Sequence, residues 1–245
     1  MLTKIKKIMR WMVALFFSTT ILAVIVYRFL PVYVTPLMVI RCFEQASEGR
    51  HITMHHHWVP MKEISPHMPV AVMSSEDSRF LLHHGFDFGA IQSAAKHNRK
   101  GKKVHGASTI SQQTAKNVFL WPGRSWVRKG FEVYFTFLIE VMWSKQRIME
   151  VYLNSIEMGD GIYGVSAVAK YHFDKEAIDL SRSECALIAA TLPNPRKFDS
   201  SNPSEYTRKR QHRIEHEMYY IPSFPREGED YDPSTVKGGG VYKSK

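Results

Sequence analysis

The sequence predicts an almost all-helical domain held at a membrane by a single N-terminal anchor. Three observations support this prediction. An apolar run of membrane-spanning length opens the chain, apolar residues elsewhere recur at helical spacing, and Pro, Gly and Ser residues divide the rest into segments of helix length. The 245 residues contain no run of alternating strands, no repeat of fixed period and no glycine-rich phosphate loop.

The anchor is the first predicted element. The segment WMVALFFSTTILAVIVYRFL is almost wholly apolar and reaches the ~20 residues that cross a bilayer. It follows four basic residues, Lys4, Lys6, Lys7 and Arg10. The positive-inside rule therefore assigns residues 1–10 to the cytoplasm, 11–31 to a transmembrane signal anchor and 32–220 to an outward-facing domain. The anchor is expected to remain uncleaved because no small-residue cleavage pattern follows the apolar run.

The sequence after the anchor is predicted to form a series of helices joined by linkers. Those expected to contain helices are, in order, VTPLMVIRCFEQASEG, ISPHMPVAVMSSEDSRFLLHHG, DFGAIQSAAKHNRKGKKVHG with a basic loop at its end, ASTISQQTAKNVFLWPG, a long stretch broken near Trp143 and Ser144, GVSAVAKYHF, SRSECALIAATLPNP and PSEYTRKRQHRIEHEMYY. Residues 221–245 are rich in Pro, Gly and charged residues and are expected to form a disordered tail.

The balance of charge indicates an anionic partner. The formal net charge is +10, which suits nucleic acid, a lipid headgroup surface or a phosphorylated substrate. Because the domain is expected to face outward, nucleic acid is excluded. A phosphorylated ligand at the outer face of the membrane is favoured.

Three adjacent histidines, His55, His56 and His57, raise the question of a metal site. Consecutive side chains do not converge on one ion in a helix or a strand. The segment HITMHHHWVP is therefore expected to be a solvated linker whose histidines become charged at mildly acid pH.

The stretch SEDSRFLLHHG places two acids, Glu76 and Asp77, directly after the apolar residues PVAVM. A carboxylate beside apolar surface loses hydration, so either acid is a candidate general base or general acid. The alternative is structural, because SED can begin a helix with its acids in the first turn.

The stretch GASTISQQTAKN crowds polar side chains into a segment that should otherwise pack. Gln112 and Lys116 share one helix face, as do Gln113 and Asn117. Faces lined with amides suit sugar hydroxyls or phosphate oxygens, although a solvated surface helix has the same pattern.

The stretch GRSWVRKGFE carries Arg124, Arg128, Lys129 and Glu132. Arg128 and Glu132 are one turn apart, which fits either an ordinary helical ion pair or a cationic site for a phosphate leaving group with a second acid nearby. Glu140 follows in the apolar run VYFTFLIEV and requires a partner there.

Taken together, these stretches resemble the glycosyltransferase family that polymerises peptidoglycan, most closely its monofunctional members in Gram-negative bacteria. The motif E-D-x-x-F-x-x-H-x-G is met by Glu76, Asp77, Phe80, His83 and Gly85. The motif G-[GA]-S-T-I-[ST]-Q-Q-x-x-K-N is met by residues 106–117, and R-K-x-x-E by Arg128, Lys129 and Glu132. A fourth motif, K-x-x-I-x-E-x-Y-L-N, is met by Lys145, Ile148, Glu150, Tyr152, Leu153 and Asn154.

The resemblance implies a lysozyme-like, all-α glycosyltransferase domain with a membrane-associated jaw. It implies that lipid II is joined to a growing strand through an inverted, β-1,4 bond, with release of undecaprenyl diphosphate.

Glu76 matches the general base, and Glu132 matches a second essential acid whose role is either to anchor cations, to hold a divalent ion or to assist the leaving group. Asp77 is expected to orient the local network. The substrate-binding positions implied are Asp77, Ser108, Gln112, Gln113, Lys116, Asn117, Arg124, Arg128 and Lys129.

The same resemblance implies a single-pass protein of the bacterial inner membrane with its catalytic domain in the periplasm. No tightly bound cofactor and no dedicated metal site are expected, although Mg²⁺ or Mn²⁺ would stimulate by neutralising the diphosphate. Expected partners are lipid II, the nascent glycan strand, the membrane and other proteins of cell-wall synthesis and division, but no nucleic acid.

Two other functions are compatible with parts of this pattern, and one segment departs from the family pattern. A lytic transglycosylase or muramidase would also use a glutamate but would need no cationic cluster. An inactive membrane-anchored scaffold of cell-wall synthesis would keep the fold without turnover. The segment KYHF, at 170–173, stands where the family has an arginine, a tyrosine and a phenylalanine in sequence.

Overall fold

The structure is a computed structural model that describes residues 2–98, 108–123, 125–226 and 228–236. Its helices are α1 (Leu2–Phe29), α2 (Pro36–Ser47), α3 (His67–Glu76), α4 (Phe88–Asn98), α5 (Ile110–Phe119), α6 (Trp126–Met142), α7 (Lys145–Ser155), α8 (Gly164–Phe173), α9 (Arg182–Thr191) and α10 (Glu205–Glu217). Three short strands are β1 (His55–His56), β2 (Glu157–Gly159) and β3 (Ile162–Tyr163). The prediction of a helical domain with one apolar N-terminal helix is confirmed.

Polar caps explain where most of the helices begin. A serine or threonine hydroxyl accepts a hydrogen bond from a first-turn backbone N–H of six helices, and these caps are Thr35, Thr109, Ser125, Ser144, Ser181 and Ser204. The predicted break near Trp143 is confirmed, since α6 ends at Met142 and Ser144 caps α7. Helix α5 packs on α6 and α7, while α3 packs on α9 and α10, and these two layers enclose the core.

The apolar helix α1 packs against the domain through specific hydrogen bonds. The hydroxyl groups of Thr20 and Tyr134 lie 2.8 Å apart, and the indole N–H of Trp143 donates to the carbonyl of Val24 at 2.8 Å. Arg147 donates to the carbonyls of Tyr27 and Leu30 at 2.9 and 2.5 Å. A cation at the C-terminal end of a helix is favourable because the helix dipole is negative there.

The outer face of α6 is apolar and exposed beside this anchor. Trp126, Val133, Phe137 and Val141 lie on one side of the helix, and Trp126 is 92% exposed. Contiguous exposed apolar surface marks a binding or membrane-contact face.

A small sheet joins the segment before α3 to the segment after α7. The strand order is β1-β3-β2, with β1 parallel to β3 and β2 antiparallel to it. His55 and His56 form β1, and the ring Nε2 of His56 donates to the carbonyl of Asn154 at 2.9 Å. The expectation of a solvated linker is therefore wrong for these two residues. Sequence alone gave no sign of this pairing, since each strand is only two or three residues long.

The segment after α10 also differs from the prediction. Ile221 and Val236 are buried, Phe224 stacks on Phe80 with ring centroids 6.5 Å apart, and the side chain of Gln146 donates to the carbonyl of Arg226 at 3.1 Å. The described residues from 221 to 236 are thus packed on the domain rather than disordered. Their few apolar side chains suffice because each one reaches the core. Residues 237–245 lie outside the described residues.

Asn154, on α7, holds the segment that connects β1 to α3. Its side chain is fully buried, accepts from the backbone N–H of Val59 at 2.9 Å and donates to the carbonyls of Val59 and Glu150, each at 2.9 Å. One amide thus satisfies both backbone groups of Val59, which are buried and would otherwise be unpaired.

We expect Asn154→Ala to destabilise the domain by about 2–4 kcal/mol, because it leaves two buried backbone groups of Val59 without partners. For a domain of this size that corresponds to a fall in Tm of roughly 4–16 °C. Thermal unfolding followed by circular dichroism measures it, with the exposed Asn202→Ala as the matched control. Equal melting of the two variants would remove Asn154 from this role.

Candidate active site

The acid pair stands at the end of a helix, not at its beginning. Glu76 is the last residue of α3 and Asp77 is its C-cap. The structural alternative, in which SED begins a helix, is therefore wrong. A carboxylate at a helix C-terminus faces the negative end of the dipole, so local helix energetics do not favour Glu76 there. Other groups must hold it.

Three side chains surround the carboxylate of Glu76. The Ser75 hydroxyl donates to Oε1 at 2.9 Å, and the Gln113 amide donates to Oε2 at 3.2 Å. Nη2 of Arg210 lies 3.7 Å from Oε1 and donates to the Ser75 hydroxyl at 3.0 Å. The Glu76 side chain keeps 16% of its surface exposed, so both oxygens are oriented while the group stays accessible.

Asp77 ties the end of α3 to the start of α5. It is buried, both of its oxygens lie 3.0 Å from Nε2 of His83, and Oδ2 accepts from the backbone N–H of Ile110 at 3.0 Å. The Thr109 hydroxyl donates to the carbonyl of Gly85 at 2.7 Å and adds a second tie. These contacts agree with the expectation that Asp77 orients the network.

Gly85 lies in a place that no other residue fits. Its φ is +84°, and an added Cβ would stand 2.9 Å from side-chain carbons of Glu140 and of Thr136. The carboxylate of Glu140 accepts from the Ser111 hydroxyl in a short contact and from Nζ of Lys145 at 2.8 Å. Glu140 thus has the partners that its apolar surroundings required.

Lys145 is itself half-buried at this junction. Burial lowers the pKa of Lys145, the Glu140 carboxylate opposes that shift, and Nζ lies 4.5 Å from the ring centroid of Phe80. The cluster therefore locks α5, α6 and α7 together behind the acid pair.

The start of α5 is fixed by a capping box. The Thr109 hydroxyl accepts from the backbone N–H of Gln112, and Oε1 of Gln112 accepts from the backbone N–H of Thr109 at 3.0 Å. Gln112 is buried and is committed to this cap, whereas Ser108 is exposed immediately before it. The structure thus gives Gln112 a structural contact where the sequence predicted a substrate contact.

Gln113 is positioned from behind by Tyr152. The Tyr152 hydroxyl donates to Oε1 of Gln113 at 3.2 Å, which leaves the amide N–H group directed at Glu76. Burial, with the charges of Glu76 and Asp77 adding to it, raises the pKa of Tyr152 well above its ordinary value. Tyr152 therefore remains a neutral donor.

Lys116 lies one helical turn beyond Gln113, on the same side of α5. Three residues advance a helix by about 4.5 Å, so the acid held by Gln113 and the amine of Lys116 border a common surface. Burial lowers the pKa of Lys116 and the charge of Glu132 opposes that effect. Asn117, one turn beyond Gln113 on the helix, is almost completely buried.

Helix α6 supplies further cations next to Lys116. Glu132 is buried, with Nη1 of Arg128 2.7 Å from its Oε2 and Nζ of Lys129 in short contact with its Oε1. One carboxylate thus orients two cations, and the four side chains together carry two net positive charges. Arg124 falls outside the described residues.

The structure therefore brings together most of the predicted residues and adds three that sequence reasoning missed: Ser75, Tyr152 and Arg210. Arg210 is more than 130 residues from Glu76 in the chain, and only the packing of α10 on α3 brings it near. Tyr152 belonged to a recognised motif, but its contact with Gln113 could not be deduced from spacing. Within the described ranges, no group of three or more His, Cys, Asp or Glu side chains is arranged to hold a metal ion.

The comparisons with known proteins agree with this geometry. Residues 45–219 match the family described as Transglycosylase. Similar proteins named "Biosynthetic peptidoglycan transglycosylase" include one from Bacteroides thetaiotaomicron, 63% identical over 224 residues that make up 90% of each chain. Another, from Bdellovibrio bacteriovorus, is 51% identical over 87% of this chain and 85% of its own, and one from Caulobacter vibrioides is 54% identical over 79% and 82%. The chain belongs to the transglycosylase family, whose domain is lysozyme-like.

Proposed function

We propose that this protein is a peptidoglycan glycosyltransferase that polymerises lipid II into β-1,4-linked glycan strands. The observation that supports it is the common surface of α5, where Gln113 holds Glu76 and Lys116 lies one turn away beside the cations of α6. A base and a fixed positive cluster are what transfer of a sugar from a diphosphate requires. The names of the relatives point to the same substrate class.

Glu76 acts as the general base. The acceptor's 4-hydroxyl is a poor nucleophile at neutral pH, so its proton passes to a carboxylate oxygen of Glu76 as the oxygen attacks C1 of the donor sugar. The bond between C1 and the diphosphate oxygen breaks on the opposite face, and the α-linked donor yields a β bond. Gln113 and Ser75 hold the carboxylate in place, and Asp77 fixes the end of the helix that carries it.

The departing diphosphate takes up the electron pair of the broken bond. Lys116, Arg128 and Lys129 stabilise the developing charge, because fixed cations in a partly buried site need no reorganisation. Both oxygens of Glu132 already engage Arg128 and Lys129, which favours an anchoring role over metal binding or proton transfer. Mg²⁺ or Mn²⁺ would act by neutralising the charge of the substrate diphosphate.

The membrane presents this substrate to the site. Helix α1 is long and apolar enough to span a bilayer, and the exposed apolar face of α6 lies on the domain it packs against. The basic residues that precede the apolar run favour an N-terminus in the cytoplasm by the positive-inside rule. In the proposed orientation the domain is periplasmic, and the lipid chain of the donor shares the outer leaflet with this face.

Glu76→Gln is expected to reduce glycan formation from labelled lipid II by at least about 10³-fold, because the amide cannot accept the proton. Circular dichroism should show the same melting as the unmodified protein. Glu63→Gln, the same change at an exposed position, should keep full activity.

Near-normal turnover by Glu76→Gln would remove it from the base role. Release of soluble fragments from sacculi, without polymer from lipid II, would identify a lytic enzyme. Failure of the unmodified protein to bind a lipid II analogue would identify a scaffold.

Lys116 should control the alkaline limit of the reaction. The group acts while protonated, and burial lowers its pKa, so its contribution is present at neutral pH and is lost as pH rises through that lowered value. We expect Lys116→Ala to lower kcat/KM for lipid II by about 10²-fold, and Lys116→Arg to restore part of it and to retain activity to higher pH. A rate profile from about pH 6 to 10 tests this, and an unchanged alkaline limb in Lys116→Arg would contradict it.

Arg210 should position the base. Arg210→Ala removes the cation that orients Ser75 and faces Glu76, and we expect kcat to fall by roughly 10–100-fold with little change in KM or Tm. Arg210→Lys should recover part of kcat, because a cation returns to the pocket. Arg213→Ala, on the exposed side of α10, is the control. A loss confined to Tm would show that Arg210 is only structural.

A further inference from the structure

Two stretches that the family motifs leave unexplained line a single cavity. The histidines at 55–57 and the segment KYHF at 170–173 are far apart in the sequence, yet β1 packs on α8 and brings them together. The cavity has a volume of about 400 Å³, which lies within the ~300–1,000 Å³ typical of small-molecule sites.

An aromatic platform forms one side of the cavity. The rings of His55 and Tyr171 are in contact, with centroids 3.8 Å apart and planes tilted by 31°. Tyr171 is nevertheless 55% exposed, so it remains available to a ligand. The C–H face of a pyranose ring packs well on such a surface because both are apolar and flat.

The polar groups around the platform are close to neutral overall. Nε2 of His56 donates to the carbonyl of Asn154, so this ring carries its proton on Nε2 and presents Nδ1 as an acceptor; burial lowers the pKa of His56 and keeps the ring neutral. Nζ of Lys170 is paired with Asp174 at 2.7 Å, and Glu176 adds a negative charge to the lining. A phosphate or carboxylate ligand would need a positive site, which this is not.

The cavity is separate from the acid pair but linked to it by α7. Tyr152 points toward Gln113, whereas the carbonyl of Asn154, two residues later, accepts from His56. The carbonyl of Asn154 lies at the C-terminal end of α7, and the residues that line the cavity include neither Glu76 nor Gln113.

We propose that this cavity is a saccharide-binding subsite that holds the sugar rings of a β-1,4-linked glycan outside the catalytic groove. The aromatic platform supplies stacking, and neutral acceptors and hydroxyls, including Ser166, supply hydrogen bonds to sugar hydroxyls. The inference rests on the proposed function, since the nascent strand is the glycan that the enzyme would meet. Retention of that strand here would favour further additions over release.

Histidine ring spectroscopy tests the site independently of catalysis. The full-length protein in detergent micelles, labelled with ¹⁵N in its histidine rings, is titrated with chitotetraose, a soluble β-1,4-linked oligosaccharide. We expect the ring signals of His55 and His56 to shift and saturate, while that of His212, exposed on α10, does not. The half-saturating concentration should rise about tenfold in Tyr171→Ala, consistent with loss of one aromatic contact, and remain within about twofold in Tyr171→Phe.

Tyr220→Ala, which removes another partly exposed tyrosine, is the matched control and should leave the titration unchanged. With lipid II as substrate, Tyr171→Ala should make shorter strands than the unmodified protein. The proposal is overturned if His55 and His56 do not respond to chitotetraose, or if they respond equally in Tyr171→Ala. Failure of the unmodified protein to polymerise lipid II would instead overturn the proposed function, and the ring titration would still report on the cavity.

Discussion

Helix α3 ends at a carboxylate that its own dipole disfavours, and the surrounding structure is built to hold that group. Glu76 stands where backbone carbonyls already concentrate negative charge, so it needs donors from elsewhere. Gln113 comes from α5, Arg210 from α10 and Ser75 from the preceding residue. Three elements must therefore pack correctly before the acid is oriented. An acidic residue at the C-terminal end of a helix is locally unfavourable, and here residues distant in the chain compensate for it. This combination is characteristic of a functional site.

The neighbouring acid, Asp77, has a structural role instead. Asp77 is buried, and its carboxylate forms hydrogen bonds with His83 and with the first backbone N–H of α5. It thereby sets the position at which α5 begins, and with it the positions of Gln113 and Lys116 along that helix. Gly85 belongs to the same junction, because any side chain there would push away the residues that pack behind α5. Adjacent residues of one motif thus divide into one whose carboxylate stays accessible and others that fix the helices around it.

Helix periodicity, caps and the apolar anchor could be predicted because each depends on residues close together in the chain. Ser144 and Thr109 cap helices, as their positions before helix-forming residues indicate, and the polar residues 110–117 do lie in one helix. What could not be predicted depends on contacts between distant segments. The pairing of β1 with β3 involves two residues from each strand, and the packing of residues 221–236 depends on isolated side chains such as Val236. Arg210 was overlooked for the same reason, since a charged helix gives no sign of which residue turns inward.

A single helix sets the distance between the two halves of the proposed reaction. Gln113 holds Glu76, the proposed base, and Lys116 faces the cations of α6, so the separation between Glu76 and the positive cluster follows from the rise of α5 rather than from the flexible side chains alone. Helices are the stiffest supports that a small domain offers, and a site placed on one is positioned more precisely than a site on loops. The capping box, the tie to Asp77 and the buried Lys145 cluster then have a common purpose, because each prevents α5 from sliding along its axis. The polar crowding of residues 108–117 is thus explained by two demands on one segment: its buried face must lock the helix, and in the proposed function its open face must meet the substrate.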